Sequence, residues 1–264
     1  MPIKLTAASR RRPGLTRADY FRYMEHFHGT IARQERFKIA SYMQNHVIDG
    51  GFGVLADKAH QLIADRDGVV ELSFDCFPDL MSSLEPVLPE GQTSVAAQDG
   101  KFFADEPNNI IAMVEEEEIP VPHPQPTFNP GLGIVKSVGA FKVLQYIMRD
   151  EEVYCEDYYQ YWREAHEAAM EAAPYAREQM RRCVANRRCR VSDNDGAARK
   201  HFNMIDPPVY DLIVSMWFDT AEQAGAFRQY NDALQAYPKK FANWSKSFFL
   251  YVRQVPIIRD TPKN

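Results

Sequence analysis

Apolar residues along this chain fall into two spacings that take turns. Tyr20, Met24, Phe27 and Ile31 recur at helical intervals and predict a helix over 17–33. Thr16 stands ahead of it as an N-cap, and Asp19 three residues on completes the acidic form of a capping box. Extended or strand-like sequence follows at 36–48 and 69–77, a second helix at 78–88 and a strand at 110–117. A short, mildly apolar run at 5–9 ends at the breaker RRRPG. The second half repeats the series: strand 141–148, helix 156–172, extended 179–191, strand 210–218, helix 220–234 and strand 247–255.

The repetition extends to the letters. DYFRYMEHFH at 19–28 returns as DYYQYWREAH at 157–166, and ELSFD at 71–75 returns as SMWFD at 215–219. A β-α-β-β-α-β order written twice predicts an α+β chain of two ferredoxin-like units. Between them, 119–140 carries Pro120, Pro122, Pro124, Pro126 and Pro130 with Gly131 and Gly133, a composition that favours an extended strap. The expected domains are therefore 1–118 and 141–264, joined by 119–140. Each unit leaves one sheet face uncovered by helices, and the tethered second copy is its obvious cover.

Composition narrows the field. With 264 residues, 45% hydrophobic and 12% aromatic, the chain can bury two cores. A net charge of -5 argues against nucleic acid or an anionic membrane as partner. No apolar stretch reaches signal-peptide or bilayer length, so a cytoplasmic protein is expected. Four cysteines without a CxxC pair predict neither a disulfide framework nor a zinc site. Phosphate loops, nucleophile elbows, HExxH and calcium loops are missing from the sequence, so no metal and no cofactor is expected.

The candidate chemistry is histidine, tyrosine and carboxylate. His28 lies toward the apolar stripe of its helix, where a packed histidine and a catalytic one look alike; it recurs as His166. His26 lies about 200° around the helix from it, which disfavours joint metal chelation. Tyr42, Gln44 and His46 share one strand face. Glu71 interrupts the apolar run VVELSF and is expected to join His28, Tyr42 and His46 around one pocket, unless it is a surface residue. Six arginines between Arg177 and Arg190 form either a solvated segment or an anion site. Tyr20 and Tyr23 are core by default, or walls of a pocket for an aromatic molecule.

The turn 11–16 (RRPGLT), with Phe21-Arg22-Tyr23 and His28, resembles the start of the EthD family of dimeric α+β barrels. Sequence at 42–46 (YMQNH) and 71–75 is similar to that family's next two strands. In the second half the turn is replaced by MRDEE at 148–152, and Tyr42, His46 and Glu71 are matched to Met180, Val184 and Ser215, which makes the second repeat the divergent one. The resemblance implies a dimeric-type barrel closed within one chain, with a homodimer of the whole chain left open. It also implies cofactor-independent chemistry on aromatic or polyketide compounds: dehydration, decarboxylation, cyclisation or, in the wider superfamily, oxygenation. The reading that follows is a lyase, a decarboxylase or dehydratase, for a phenolic substrate, carboxylated in one version. His28 or His46 would be its base, Tyr42 and Glu71 orienter or proton donor, and Tyr20, Tyr23, His166 and Arg181 substrate contacts. A cofactor-free monooxygenase and a non-catalytic binding protein are the alternatives.

Overall fold

The computed structural model describes residues 2–34, 37–48, 66–84, 95–124, 141–189 and 208–258. The first repeat runs β1 (Ile3–Ser9), α1 (Arg17–Tyr23), a π-helical turn (Met24–His28), α2 (Gly29–Ala32), β2 (Ser41–Val47), β3 (Gly68–Phe74), α3 (Phe77–Leu84), α4 (Val95–Phe103) and β4 (Ile110–Ile119). The second runs β5 (Phe141–Ile147), α5 (Cys155–Ala172), α6 (Pro174–Gln179), β6 (Arg182–Arg188), β7 (Leu212–Phe218), α7 (Ala221–Ala224), α8 (Phe227–Gln235) and β8 (Phe248–Ile258). The duplicated ferredoxin-like order is therefore present. Beyond that order stand α4 in the first repeat and α6 in the second, and the last helix is divided at Gly225, where α7 ends.

The strands close into one barrel in the order β1-β3-β2-β8-β5-β7-β6-β4. Each repeat contributes a four-stranded antiparallel sheet, and two seams, β2 with β8 and β4 with β6, join them. The expectation that each open face is covered by the other copy is met by closure, which makes those faces the barrel lumen. Closure also leaves no edge unpaired among the described strands. Much of the expected strap, 125–140, lies outside the described residues.

Local sequence explains the ends. Thr16 caps α1 by accepting from the Asp19 amide at 3.1 Å. The second repeat's capping box is at Thr220 and Gln223. Pseudo-symmetry reaches single bonds: the Arg11 amide donates to Asp67 at 2.8 Å and the Arg149 amide to Asp211 at 3.3 Å. Arg12 and Asp150 donate to the carbonyls of Phe103 and Phe241.

Two arginines of the run, Arg182 and Arg187, pair with glutamates at the end of β4. The β4–β6 seam sets Arg182 against Glu118 at 2.9 Å and Arg187 against Glu117 at 3.7 Å. Exposed pairs of this kind contribute about 0–1 kcal/mol each, so they fix the register of the seam more than they stabilise it.

Candidate functional site

The helix over the first sheet changes pitch where its histidine is. From Met24 to His28 the backbone is π-helical, and the Gly29 amide closes the wide turn onto the Met24 carbonyl. That carbonyl also accepts from Gln44 Nε2 at 2.7 Å, so β2 holds the turn from below. A Cβ on Gly29 would stand 3.1 Å from Ile257 on β8 and 3.3 Å from the Met24 carbonyl, so glycine lets the turn sit close to the sheet. Short π-helical turns of this kind occur often at functional sites.

His28 gains a partner that the sequence reading missed. Its Nδ1 is 2.8 Å from Asp99 Oδ2 on α4, and the Tyr23 hydroxyl donates to Asp99 Oδ1 at 2.6 Å. Asp99 is buried at 4%, whereas the His28 side chain keeps 23% of its surface exposed; the carboxylate orients while the imidazole can be reached. Phe103 lies 5.0 Å from the His28 ring, and Tyr42 meets it edge-on at 6.1 Å. Burial and the bond to Asp99 push the Tyr23 phenol up to about 12, so it stays a donor at neutral pH. Asp99 had no recognisable signal because VAAQDGKFF carries no strong apolar stripe. The usable clue is the repeat itself, since α8 occupies the same place in the chain order.

Tyr42, Gln44 and His46 do share a face. Gln44 Nε2 donates to the Tyr42 hydroxyl at 3.1 Å, and Gln44 Oε1 is 3.2 Å from His46 Nε2. His46 stacks on Phe21 with centroids 4.1 Å apart. Burial and the Arg253 guanidinium lower His46 to about 4, so it is neutral at pH 7 and Glu25, 3.5 Å from its Nδ1, is a near neighbour rather than an ion pair. Burial holds the Tyr42 phenol well above its usual value.

Glu71 is not in this group. Its cross-strand partner is Met43, so it shares the lumen face with Met43 and Asn45 while Tyr42, Gln44 and His46 point outward to the helices. The expected single pocket of His28, His46, Tyr42 and Glu71 is therefore two clusters on opposite sides of the sheet. In the lumen Glu71 accepts from Lys142 at 2.5 Å, Asn45 at 2.8 Å and Lys4 at 3.3 Å. Although burial opposes it, the two ammonium groups hold the Glu71 carboxyl well below the usual range.

The remaining candidates are dispersed. Tyr20 is buried beside the site with its hydroxyl 2.5 Å from Ser9 Oγ. His166 is buried in the second repeat, its Nδ1 2.8 Å from the Tyr230 hydroxyl, with the Trp162 ring 5.2 Å away. Burial lowers it to about 4. Arg181 pairs with Asp219 at 2.8 Å at the surface. None of these three is hydrogen-bonded to Asp99, whose partners are Tyr23 and His28. The register also corrects the matching of repeats: Asn45 opposite Val69 corresponds to Asn186 opposite Ile213, so Tyr42 and His46 match Cys183 and Arg187, not Met180 and Val184. Among the described residues no group of three or more His, Cys, Asp or Glu side chains could hold a metal.

An EthD domain matches residues 12–106 and again 150–245, more than half of the chain. The chain belongs to the EthD domain family. No curated protein matches this EthD chain. Among solved structures, it is similar to a candidate monooxygenase from Lactobacillus acidophilus NCFM, at 10% identity and a TM-score of 0.46, with 98% of this chain and 96% of that one covered. It is also similar to an arginine-to-lysine variant of chlorite dismutase from Candidatus Nitrospira defluvii, at 12% identity and a TM-score of 0.48, with 97% and 92% covered. These likenesses concern the fold. Among the described residues, no helix is long and apolar enough to cross a membrane.

Proposed function

We propose that this EthD protein is a cofactor-independent lyase that removes water or carbon dioxide from a phenolic small molecule by general acid/base catalysis. The observation that carries the reading is the hydrogen bond between Asp99 and Nδ1 of the partly exposed His28. A carboxylate on Nδ1 fixes the tautomer with the proton there, which leaves the lone pair on Nε2. Nε2 takes the phenol proton, and Asp99 stabilises the imidazolium that results. In dehydration, the phenolate electrons move through the ring and expel a side-chain hydroxyl; the imidazolium gives its proton to that group, which leaves as water and yields a quinone methide. In decarboxylation, the phenolate electrons move through the ring to the carbon that bears the carboxylate, which takes the proton of the imidazolium and leaves a quinonoid carbonyl; the C–C bond then breaks, its electron pair returns to that carbonyl as phenolate, and carbon dioxide departs. A positioned base contributes about 10²–10⁴ in rate. Tyr23 keeps Asp99 aimed, and the rings of Phe103 and Tyr42 flank the base as walls suited to an aromatic substrate.

The test is a panel of hydroxyaryl acids and hydroxyaryl carbinols, followed by mass spectrometry for loss of 44 or 18 mass units (the masses of carbon dioxide and water), with oxygen uptake recorded beside an anaerobic control. Turnover that survives anaerobically and falls in His28→Ala supports the lyase. Turnover that requires oxygen assigns the site to the monooxygenase alternative, and ligand binding without turnover assigns it to the accessory-protein alternative.

A further inference from the structure

The barrel lumen holds a second polar cluster that the proposed chemistry does not use, and its pseudo-symmetry is broken at one position. Lys4 and Lys142 occupy equivalent places on β1 and β5, and both side chains are buried. On β1–β3, Lys4 is opposite Ser73, and Glu71 is the lumen-facing residue one step along the diagonal. Lys4 reaches Glu71 at 3.3 Å, as lysine can across such a diagonal. On β5–β7, Lys142 is opposite Trp217, and the residue one step along the same diagonal is Ser215. The serine side chain is too short to make the matching bond.

Lys142 leans to the other repeat instead. Among the described residues its ammonium bonds Glu71 at 2.5 Å and lies 4.5 Å from the centre of the Trp217 ring, which together occupy less than its three donors can use. Lys4, by contrast, has Glu71, Glu116 and the Asn186 amide oxygen. Although burial lowers it, Glu71 and Glu116 raise the Lys4 ammonium overall. Burial, with Lys4 and Arg182 repelling it, brings Lys142 down to about 8 despite Glu71. Two lysines thus share one deeply buried carboxylate, and Glu116 stands at the rim with its side chain 41% exposed. Beside Ser215, Asn186 Nδ2 donates to the serine hydroxyl at 3.2 Å.

We propose that the lumen of the second repeat binds a small monocarboxylate, of formate or acetate size, between Lys142 and Ser215. Ser215 differs from its counterpart Glu71 by the loss of a CH2-carboxylate, and an acetate-sized anion restores it in charge and bulk. Lys142 is the cation, and the Ser215 hydroxyl donates the second hydrogen bond. Glu116 and Arg182, whose side chains are 41% and 42% exposed, are the solvent-facing charges nearest this cluster. The site lies on the opposite side of the sheet from His28.

Thermal unfolding of the full chain is measured with sodium formate or acetate against sodium chloride at equal ionic strength, in wild type, Ser215→Glu and Lys142→Met. Formate raises the wild-type Tm in a saturable way, by about 4 °C at ten times the half-saturating concentration. Ser215→Glu loses the response because its own carboxylate fills the place, and Lys142→Met loses it because the cation is gone. Carbon-13 formate line broadening on wild type gives the same answer without a variant. The proposal is overturned if formate acts no differently from chloride and its line stays sharp, or if a folded Lys142→Met keeps the full response.

Discussion

Asp99 Oδ2 and His28 Nδ1 are 2.8 Å apart, although 71 residues separate them in the chain. In the proposed chemistry this pair makes His28 an oriented base. Asp99→Asn keeps the shape but lets the amide favour the wrong tautomer. It is expected to lower kcat by about 10²–10⁴-fold with little change in KM. Nitrogen-15 shifts of His28 should show the proton leaving Nδ1 in the variant; an unchanged tautomer with unchanged kcat would refute the assignment.

Gln44 is the strut under the π-helical turn. Gln44→Leu leaves the Tyr42 hydroxyl and His46 Nε2 without their Gln44 partner and leaves the Met24 carbonyl with the Gly29 amide alone, for an expected loss of about 1–3 kcal/mol. Urea unfolding measures it, and a midpoint equal to wild type contradicts the strut.

Glu71→Gln leaves Lys142 without a carboxylate in the barrel lumen. Breaking a buried pair by one partner costs about 3–5 kcal/mol, so the variant should melt well below wild type. Replacing Glu71 and Lys142 together by Leu and Met should recover part of the loss. A Glu71→Gln protein that melts normally would instead revive a role outside packing.

Stability should fall as pH is lowered below 6.5. His46 and His166 are each held near 4 in the folded protein, below the ordinary 6.5, so between those values the unfolded chain binds more protons and unfolding is favoured. Each histidine contributes a slope of up to about 1.4 kcal/mol per pH unit in that window, and nothing above it. His166→Gln should reduce the slope by about one proton without lowering kcat. A kcat loss in this variant, with His28→Ala active, would move the chemistry to the second repeat.

The duplicated helix and the shared face of Tyr42, Gln44 and His46 were legible because both rest on periodicity within one element. The face of Glu71 was not, because alternation says which residues of a strand go together but not how two strands are registered. One step of register, which puts Met43 rather than Tyr42 opposite Glu71's neighbourhood, sends the carboxylate into the lumen. Asp99 was hidden for a different reason: its helix follows 85–94, and its importance comes wholly from a contact distant in sequence. Within the arginine run, the partners of Arg182 and Arg187 were hidden until the seam with β4 set glutamates beside them.

The seam between β2 and β8 sets an order of events during synthesis. The first repeat leaves the ribosome with the outer edges of β2 and β4 bare, since their partners β8 and β6 belong to sequence not yet made. The floor under Gly29 includes Ile257, on the last strand of the barrel. The repeat that is translated first therefore has its histidine turn completed last, once the strand that carries Ile257 has docked.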